Sequence, residues 1–300
     1  MYYGLIMIAV TMFGIQFYCN REYQRICGGG LFATMVMTFG GGIAGLLSLL
    51  IINGFALDYT PFTLLMATIA SLNGIACGIC SQKALGHVSL ALYSVFSQLG
   101  GMAIPFVTGI IFFDEDLTLG KIICLITVIA AMFISMGGKA DKSQKGSKYA
   151  VFYYMGVFFF NGMSGFLSKI FAASTLPKTN AAMYSVMNAA VSIVISGIAV
   201  VVMLIMAKKK RASGVEVPRF KLTTGAVVWM SGGTILNKVA NYFLLIALAM
   251  LPASVQYPMV TGGIMIVSTL LSYLTSNKPS KREWLVVALS FAGILALVLI

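Results

Sequence analysis

Three hundred residues that are 59% hydrophobic and only 9% charged, with a mean hydropathy of +0.96, exclude an ordinary soluble domain, which carries about 25% charged residues. The formal net charge of +12 would suggest nucleic acid in a soluble chain, but the Lys and Arg residues lie mostly between apolar runs, where they set membrane orientation, so no nucleic-acid partner is expected. The five cysteines (Cys19, Cys27, Cys77, Cys80 and Cys124) are scattered and give no disulfide framework.

A hydrocarbon core about 30 Å thick needs about 20 apolar residues of helix, and ten such runs follow one another along the chain. They cover 2–19, 28–52, 61–84, 89–113, 119–137, 150–172, 181–207, 222–249, 253–276 and 283–300. The first lacks a basic leader and a small-residue cleavage site, so it reads as a retained span. The breaks are polar or turn-forming, as at Asp58-Tyr59-Thr60-Pro61, Asp114-Glu115-Asp116, Leu176-Pro177-Lys178 and Asn277-Lys278-Pro279-Ser280. Most are too short to hold a soluble domain, which puts the function inside the membrane.

The longest polar stretches are 139–148 and 208–221, and the first divides ten spans into five and five. A repeat runs across that division. Ala84-Leu85-Gly86 through Leu92 reads against Ala247-Leu248-Ala249 through Val255, Gly100-Gly101 against Gly262-Gly263, and Glu115-Asp116-Leu117-Thr118 against Asn277-Lys278-Pro279-Ser280, at offsets of 162 or 163. Gly14, Tyr18 and Arg21 likewise read against Gly162, Phe166 and Lys169 at an offset of 148. A five-span copy leaves the membrane on the side opposite its entry, so the second copy is inverted relative to the first. The expected fold is an all-α membrane protein of ten transmembrane helices in two inverted five-helix repeats, 1–138 and 149–300, joined by a linker at 139–148. Many secondary transporters are built this way, with the solute near the midplane between the copies.

Of the 20 Lys and Arg residues, 16 fall in the odd-numbered connections, and only Lys121 and Lys178 in the even ones. The positive-inside rule makes the odd connections cytoplasmic and places both termini outside.

These features together resemble the drug/metabolite transporter superfamily in its ten-helix form with two EamA-type repeats. The resemblance covers the whole chain. It rests on Ala84-Leu85-Gly86 and Ala247-Leu248-Ala249-Met250-Leu251-Pro252-Ala253-Ser254, on the acidic break Glu115-Asp116-Leu117-Thr118 and on the final apolar helix. The family's aromatic-Gly-x-Asn-Phe pattern in span one would here be Phe13-Gly14-Ile15-Gln16-Phe17, with Phe for the usual Trp and Gln for Asn. Asn277 stands where the second copy usually has Glu, and many relatives have cytoplasmic termini, against the charge count here. The resemblance implies a carrier of small metabolites, amino acids or drugs, in a bacterial-type inner membrane.

Lys83 and Lys121 stand within two residues of a run's end and count with the connections, whereas Lys169 and Lys238 fall deeper in their runs. A charge near the bilayer centre costs about 2.5–3.5 kcal/mol on the mildest insertion scales, so Lys238 requires an aqueous cavity, a polar partner or a ligand. One reading makes it the fixed positive charge of a solute site, flanked by Asn237 and Asn241; the other has it satisfied by those amides and backbone carbonyls, or snorkelling. Its counterpart at the 163 offset is Ile75, so the charge breaks the repeat symmetry. Gln16 and Asn188 are further amides within spans, each either interhelical glue or cavity lining. Tyr93 and Tyr257, in equivalent places in the two copies, and Tyr184, on one face with Asn180 and Asn188, form either an aromatic wall or ordinary packing. The Cys77-x-x-Cys80 pair has no His or acidic companion and reads as packing.

No enzyme is expected. The one histidine, His87, sits at a helix end, every acidic residue lies between spans, and there is no nucleophile triad, metal cluster or phosphate loop. No cofactor is implied. The expected function is secondary transport of a small anionic or zwitterionic organic solute by alternating access. The rival readings are an exporter of cationic drugs, which the like charge of Lys238 disfavours, and a membrane accessory protein that transports nothing.

Overall fold

The computed structural model describes residues 2–28, 30–85, 90–136, 148–213, 220, 222–274 and 281–299. Among these the chain is helical, with no strand. His87, most of the linker 139–148 and the break at 275–280 lie outside the described residues.

Helix α1 spans Tyr2–Cys27, longer than the apolar run because Arg, Glu and Gln continue a helix well. It stops at Gly28, whose φ of +80° suits glycine and whose N–H donates to the Gln24 carbonyl at 2.8 Å. The second apolar run is a helix in three parts: α2 (Leu31–Val36), a π-helical turn (Met37–Gly41) and α3 (Gly42–Ile52). Helix α4 (Pro61–Leu85) opens on a proline, with the Thr60 hydroxyl accepting from the Thr63 N–H at 3.3 Å. Then come α5 (Leu90–Phe113), α6 (Leu119–Met136), α7 (Lys148–Ala173), α8 (Ala181–Ala212), α9 (Thr224–Leu248), α10 (Ala253–Leu274) and α11 (Lys281–Leu299). Asn180 caps α8, accepting from the Met183 N–H at 2.7 Å. That helix carries on through Lys209, Lys210 and Arg211, whose charges suit the negative end of the helix dipole.

Five of the described helical stretches are long and apolar enough to cross a membrane: Tyr2–Cys27, Leu31–Ile52, Pro61–Ser81, Phe152–Ala173 and Ala181–Ala212. Four more apolar stretches, Ser97–Phe113, Leu119–Ile134, Ala253–Val267 and Trp284–Leu297, are shorter. This is the composition of a membrane-embedded helical protein, with exposed Val, Ile and Phe side chains such as Phe152, Val194, Ile198 and Phe291.

The chain forms two compact units, and each draws on both halves of the sequence. The first comprises 1–14, 73–175 and 243–300. Its core is Met102, Cys124, Val128, Ala131, Met132, Met265 and Val286, contributed by α5, α6, α10 and α11. Helices α5 and α7 meet so closely that a Cβ on Gly100 would overlap the Phe158 carbonyl, and one on Gly162 would lie 2.6 Å from the Gly100 carbonyl oxygen. Asn161 Nδ2 donates across the same seam to the Ser97 carbonyl at 2.5 Å, and Asn73 on α4 donates to the Phe160 carbonyl and Ser164 Oγ, both at 2.8 Å. Pro105 and Pro258 lie inside α5 and α10 and are fully buried.

The second unit comprises 15–72 and 176–242. Tyr23, Ala33, Ala226 and Met230 form its core, with the Tyr23 hydroxyl donating to the Ala33 carbonyl at 2.8 Å. The glycine-rich second run packs its small residues against two neighbours. Gly42 faces Ile193 of α8, while Gly41 and Gly45 face Thr234 and Lys238 of α9. Small residues of this kind let helix backbones approach where no water drives association.

Candidate functional site

Lys238 lies in the second unit, at the fifteenth residue of the 25-residue α9. At 1.5 Å per residue that is about 20 Å from one end of the helix and about 15 Å from the other. Gly45 makes room for its stem: a Cβ there would lie 2.9 Å from Lys238 Cγ and 3.2 Å from Thr234 Cγ2. The ammonium donates to Asn188 Oδ1 at 3.3 Å. No carboxylate pairs with it among the described residues, whose ion pairs lie elsewhere.

Asn188 is held so that its side-chain Oδ1, and not its backbone carbonyl, makes this contact. Its Nδ2 donates to Ser71 Oγ at 3.2 Å and to the Ala67 carbonyl at 3.4 Å, both on α4. Ser71 Oγ donates to the Asn188 carbonyl at 3.0 Å and accepts from Ser192 Oγ at 3.1 Å. One face of α8, one of α4 and one of α9 thus meet in a neutral hydrogen-bonded set with a single ammonium at its edge. On the other side of α9, Asn237 Nδ2 reaches Gln16 Oε1 of α1 at 3.4 Å. One turn on from Gln16, the Oδ1 of Asn20 is buried, without a hydrogen-bond partner among the described residues.

The structure therefore gathers Lys238, Asn188, Asn237 and Gln16 in one unit, with Tyr184 buried one helical turn before Asn188. Asn241 is exposed, and its amide donates back to the Asn237 carbonyl at 2.8 Å within its own helix. Tyr257 belongs to the first unit, where its hydroxyl donates to the Gly165 carbonyl at 2.9 Å and its ring fills the space a Cβ on Gly165 would need. Tyr93 lies on α5, and its side chain is outside the described residues. Ser71, Ser192, Thr234 and Gly45 were not anticipated. The signal for Gly45 was the glycine spacing of the second run; the serines carry none that distinguishes them from helix-packing residues.

A second charged cluster, in the first unit, also went unanticipated. Asp114 adopts a left-handed conformation, φ +50°, which ends α5 and turns the chain so that the Glu115 N–H donates to the Gly109 carbonyl at 3.3 Å. The Glu115 side chain, 6% exposed, pairs with Lys169 of α7 at 2.8 Å. Its two oxygens also accept from the first turn of α10: the Ala253 N–H at 2.7 Å, the Ser254 N–H at 2.8 Å and the Ser254 hydroxyl at 2.5 Å. Burial pushes the Glu115 carboxyl up, but the bonds from Lys169, Ser254 and Ala253 together outweigh it and hold the group below its ordinary value. An acidic residue assigned to a loop by sequence is thus the anionic cap of α10 and the counter-ion of one lysine. Among the described residues no group of His, Cys, Asp and Glu is placed to hold a metal ion.

No protein-family model and no curated protein matches the sequence. Solved structures do share its fold. A crystal structure of another protein, 14% identical in sequence, superposes over 97% of this chain and 94% of its own length with a TM-score of 0.72.

Proposed function

We propose that this chain is a secondary transporter of a small organic anion, built in the ten-helix manner of the drug/metabolite transporters from two inverted five-span repeats. The observation that carries this reading is Lys238: an ammonium in the middle of an apolar helix whose described partner is a neutral amide. A neutral amide orients such a group without cancelling its charge, and a solute anion would supply the missing counter-ion. The repeat is supported by contacts that exchange the two halves. Asn73 of α4 bonds α7, and Asn237 of α9 bonds α1; Gly100 of α5 packs on α7, and Gly263 of α10 on Val10 of α1. The loop charges orient both termini outward, which a reporter fused after Ile300 tests directly.

Uptake by purified protein in liposomes, with thermal stability measured against a panel of organic anions, cations and neutral solutes, tests the function. The expected result is stabilisation and flux with anions, both lost in Lys238→Met. Stabilisation by lipophilic cations alone would overturn the reading in favour of a drug exporter. A copurifying protein with no flux of any solute would favour the accessory role.

A further inference from the structure

Lys169 and Lys238, the lysines set deepest in the apolar runs, differ in what neutralises them. Lys169 has a full counter-charge in Glu115, at 2.8 Å, with both side chains largely buried. Lys238 has an amide oxygen at 3.3 Å. Of these two cations Lys169 is cancelled within the protein and Lys238 keeps its +1; Lys121, buried at the start of α6, belongs to the first unit and donates to the Asp116 carbonyl, so within the second unit's described site the uncancelled charge is the one at Lys238. The polar groups of its hydrogen-bonded set, Asn188, Ser71 and Ser192, are neutral, as is Thr234 one turn before it on α9.

We infer that the solute bound at Lys238 carries one net negative charge, as a monocarboxylate does. This inference rests on the transport reading above and narrows it. One carboxylate on Lys238 makes the site electrically neutral. A second carboxylate, or the second charge of a phosphate monoester, would find no further cation to meet it among the described residues of this site. The ammonium of a zwitterionic amino acid would find no anion among them, and would stand near a lysine already engaged. An unmatched charge withdrawn from water is as costly on the solute as on the protein, so both classes bind at a loss. The amides can still pair with hydroxyl or carbonyl groups on the rest of the solute, so the discrimination is one of charge rather than polarity.

The test uses the intact protein in nanodiscs at neutral pH, where both carboxyls of a dicarboxylic acid are ionised. Isothermal titration is run with the dicarboxylates from malonate to adipate, their monomethyl and dimethyl esters, and ω-amino acids of the same lengths. Within each carbon skeleton mainly the charge changes. The expected result is that, for at least one skeleton, the monoester binds at least about tenfold tighter than the diacid, diester and amino acid. That binding is lost in Lys238→Met. Asn188→Asp is the second variant, for the case in which the first does not fold: it places a carboxylate beside Lys238 and is expected to abolish monoanion binding.

Diacids binding as tightly as their monoesters, or more tightly, with dependence on Lys238, would overturn the single-charge inference and leave the anion site standing. Preferred binding of the amino acids would do the same. Binding that ignores Lys238→Met and Asn188→Asp, or no binding by any member of the series, would overturn both.

Discussion

Replacing Glu115 by Gln removes one charge and almost no volume, and the geometry makes the change severe. Oε1 accepts from Lys169 and the Ala253 N–H, and Oε2 from the Ser254 N–H and hydroxyl. Whichever way a glutamine amide turns, its NH2 group faces an N–H donor, and Lys169, 12% exposed, loses its counter-ion. Breaking a buried pair by removing one partner costs about 3–5 kcal/mol, and loss of the anion at the α10 N-terminus adds about 0.3–1 kcal/mol. Lys169→Met is milder, about 1–3 kcal/mol, because the carboxylate keeps the three bonds from α10. The double variant removes both charges and is expected to cost less than the sum of the two, with a coupling of about 1–3 kcal/mol. The assay is unfolding in mixed micelles, run as a double-mutant cycle. The reasoning is refuted if Glu115→Gln costs less than about 1 kcal/mol or if the two changes are additive. The pH dependence has a definite sign. A carboxyl held below its ordinary 4.5 contributes stability above that value and loses it as the pH falls through the lower folded value. The gap between parent and Glu115→Gln is therefore expected to close as the pH drops below 4.5.

Helix packing predicts opposite outcomes for glycine-to-alanine changes at the α5–α7 seam and on α4. Gly100→Ala would drive a methyl into the Phe158 carbonyl, which is backbone and cannot swing aside, so little folded protein is expected in fluorescence-detected size exclusion; Gly78→Ala, with nothing within 4 Å, should be neutral or slightly stabilising by helix propensity. Gly45→Ala presses on Lys238 Cγ at 2.9 Å, near the root of that side chain, and on Thr234 Cγ2 at 3.2 Å, so α3 and α9 must part slightly; it is expected to weaken anion binding by about tenfold and also to lower the unfolding midpoint, as titration and thermal melts would read.

The helical class was legible because apolar runs of membrane length have few other solutions, and the helices cover the ten runs to within a few residues except where polar residues extend them, at Cys27 and Ala212. The π-helical turn at Met37–Gly41 was not legible, since a one-residue change of winding leaves no trace in hydropathy. At the candidate site, Lys238 stood out because a charge in an apolar run is rare, and Asn188, Asn237 and Gln16 stood out as amides in spans. Which amide meets the ammonium was beyond reach: Asn188 lies 50 residues away, and its selection depends on how α8 and α9 pack. Glu115 was hidden for a related reason. Its position in a break says that it is near a helix end, and only the left-handed turn at Asp114 aims its side chain at Lys169 and the start of α10.

The amide at 188 also explains how the lysine can be both expensive and retained. Ser71 and the Ala67 carbonyl fix the Asn188 side chain so that an oxygen faces Lys238, a partner strong enough to orient the ammonium and too weak to neutralise it. Aspartate has nearly the same shape and would complete the pair. Asn188→Asp is therefore expected to raise the unfolding free energy of the empty protein by about 1 kcal/mol, and its midpoint with it, at the cost of anion binding, the exchange of stability for function common at binding sites. It also places a carboxylate where Nδ2 now donates to the Ala67 carbonyl, and that lost bond limits the gain. Thermal melts of the two proteins with and without a bound anion separate the cases. If the site exists to hold a solute, the anion narrows the gap by stabilising only the parent; if Lys238 is merely structural, Asn188→Asp stabilises the protein equally whether or not the anion is present.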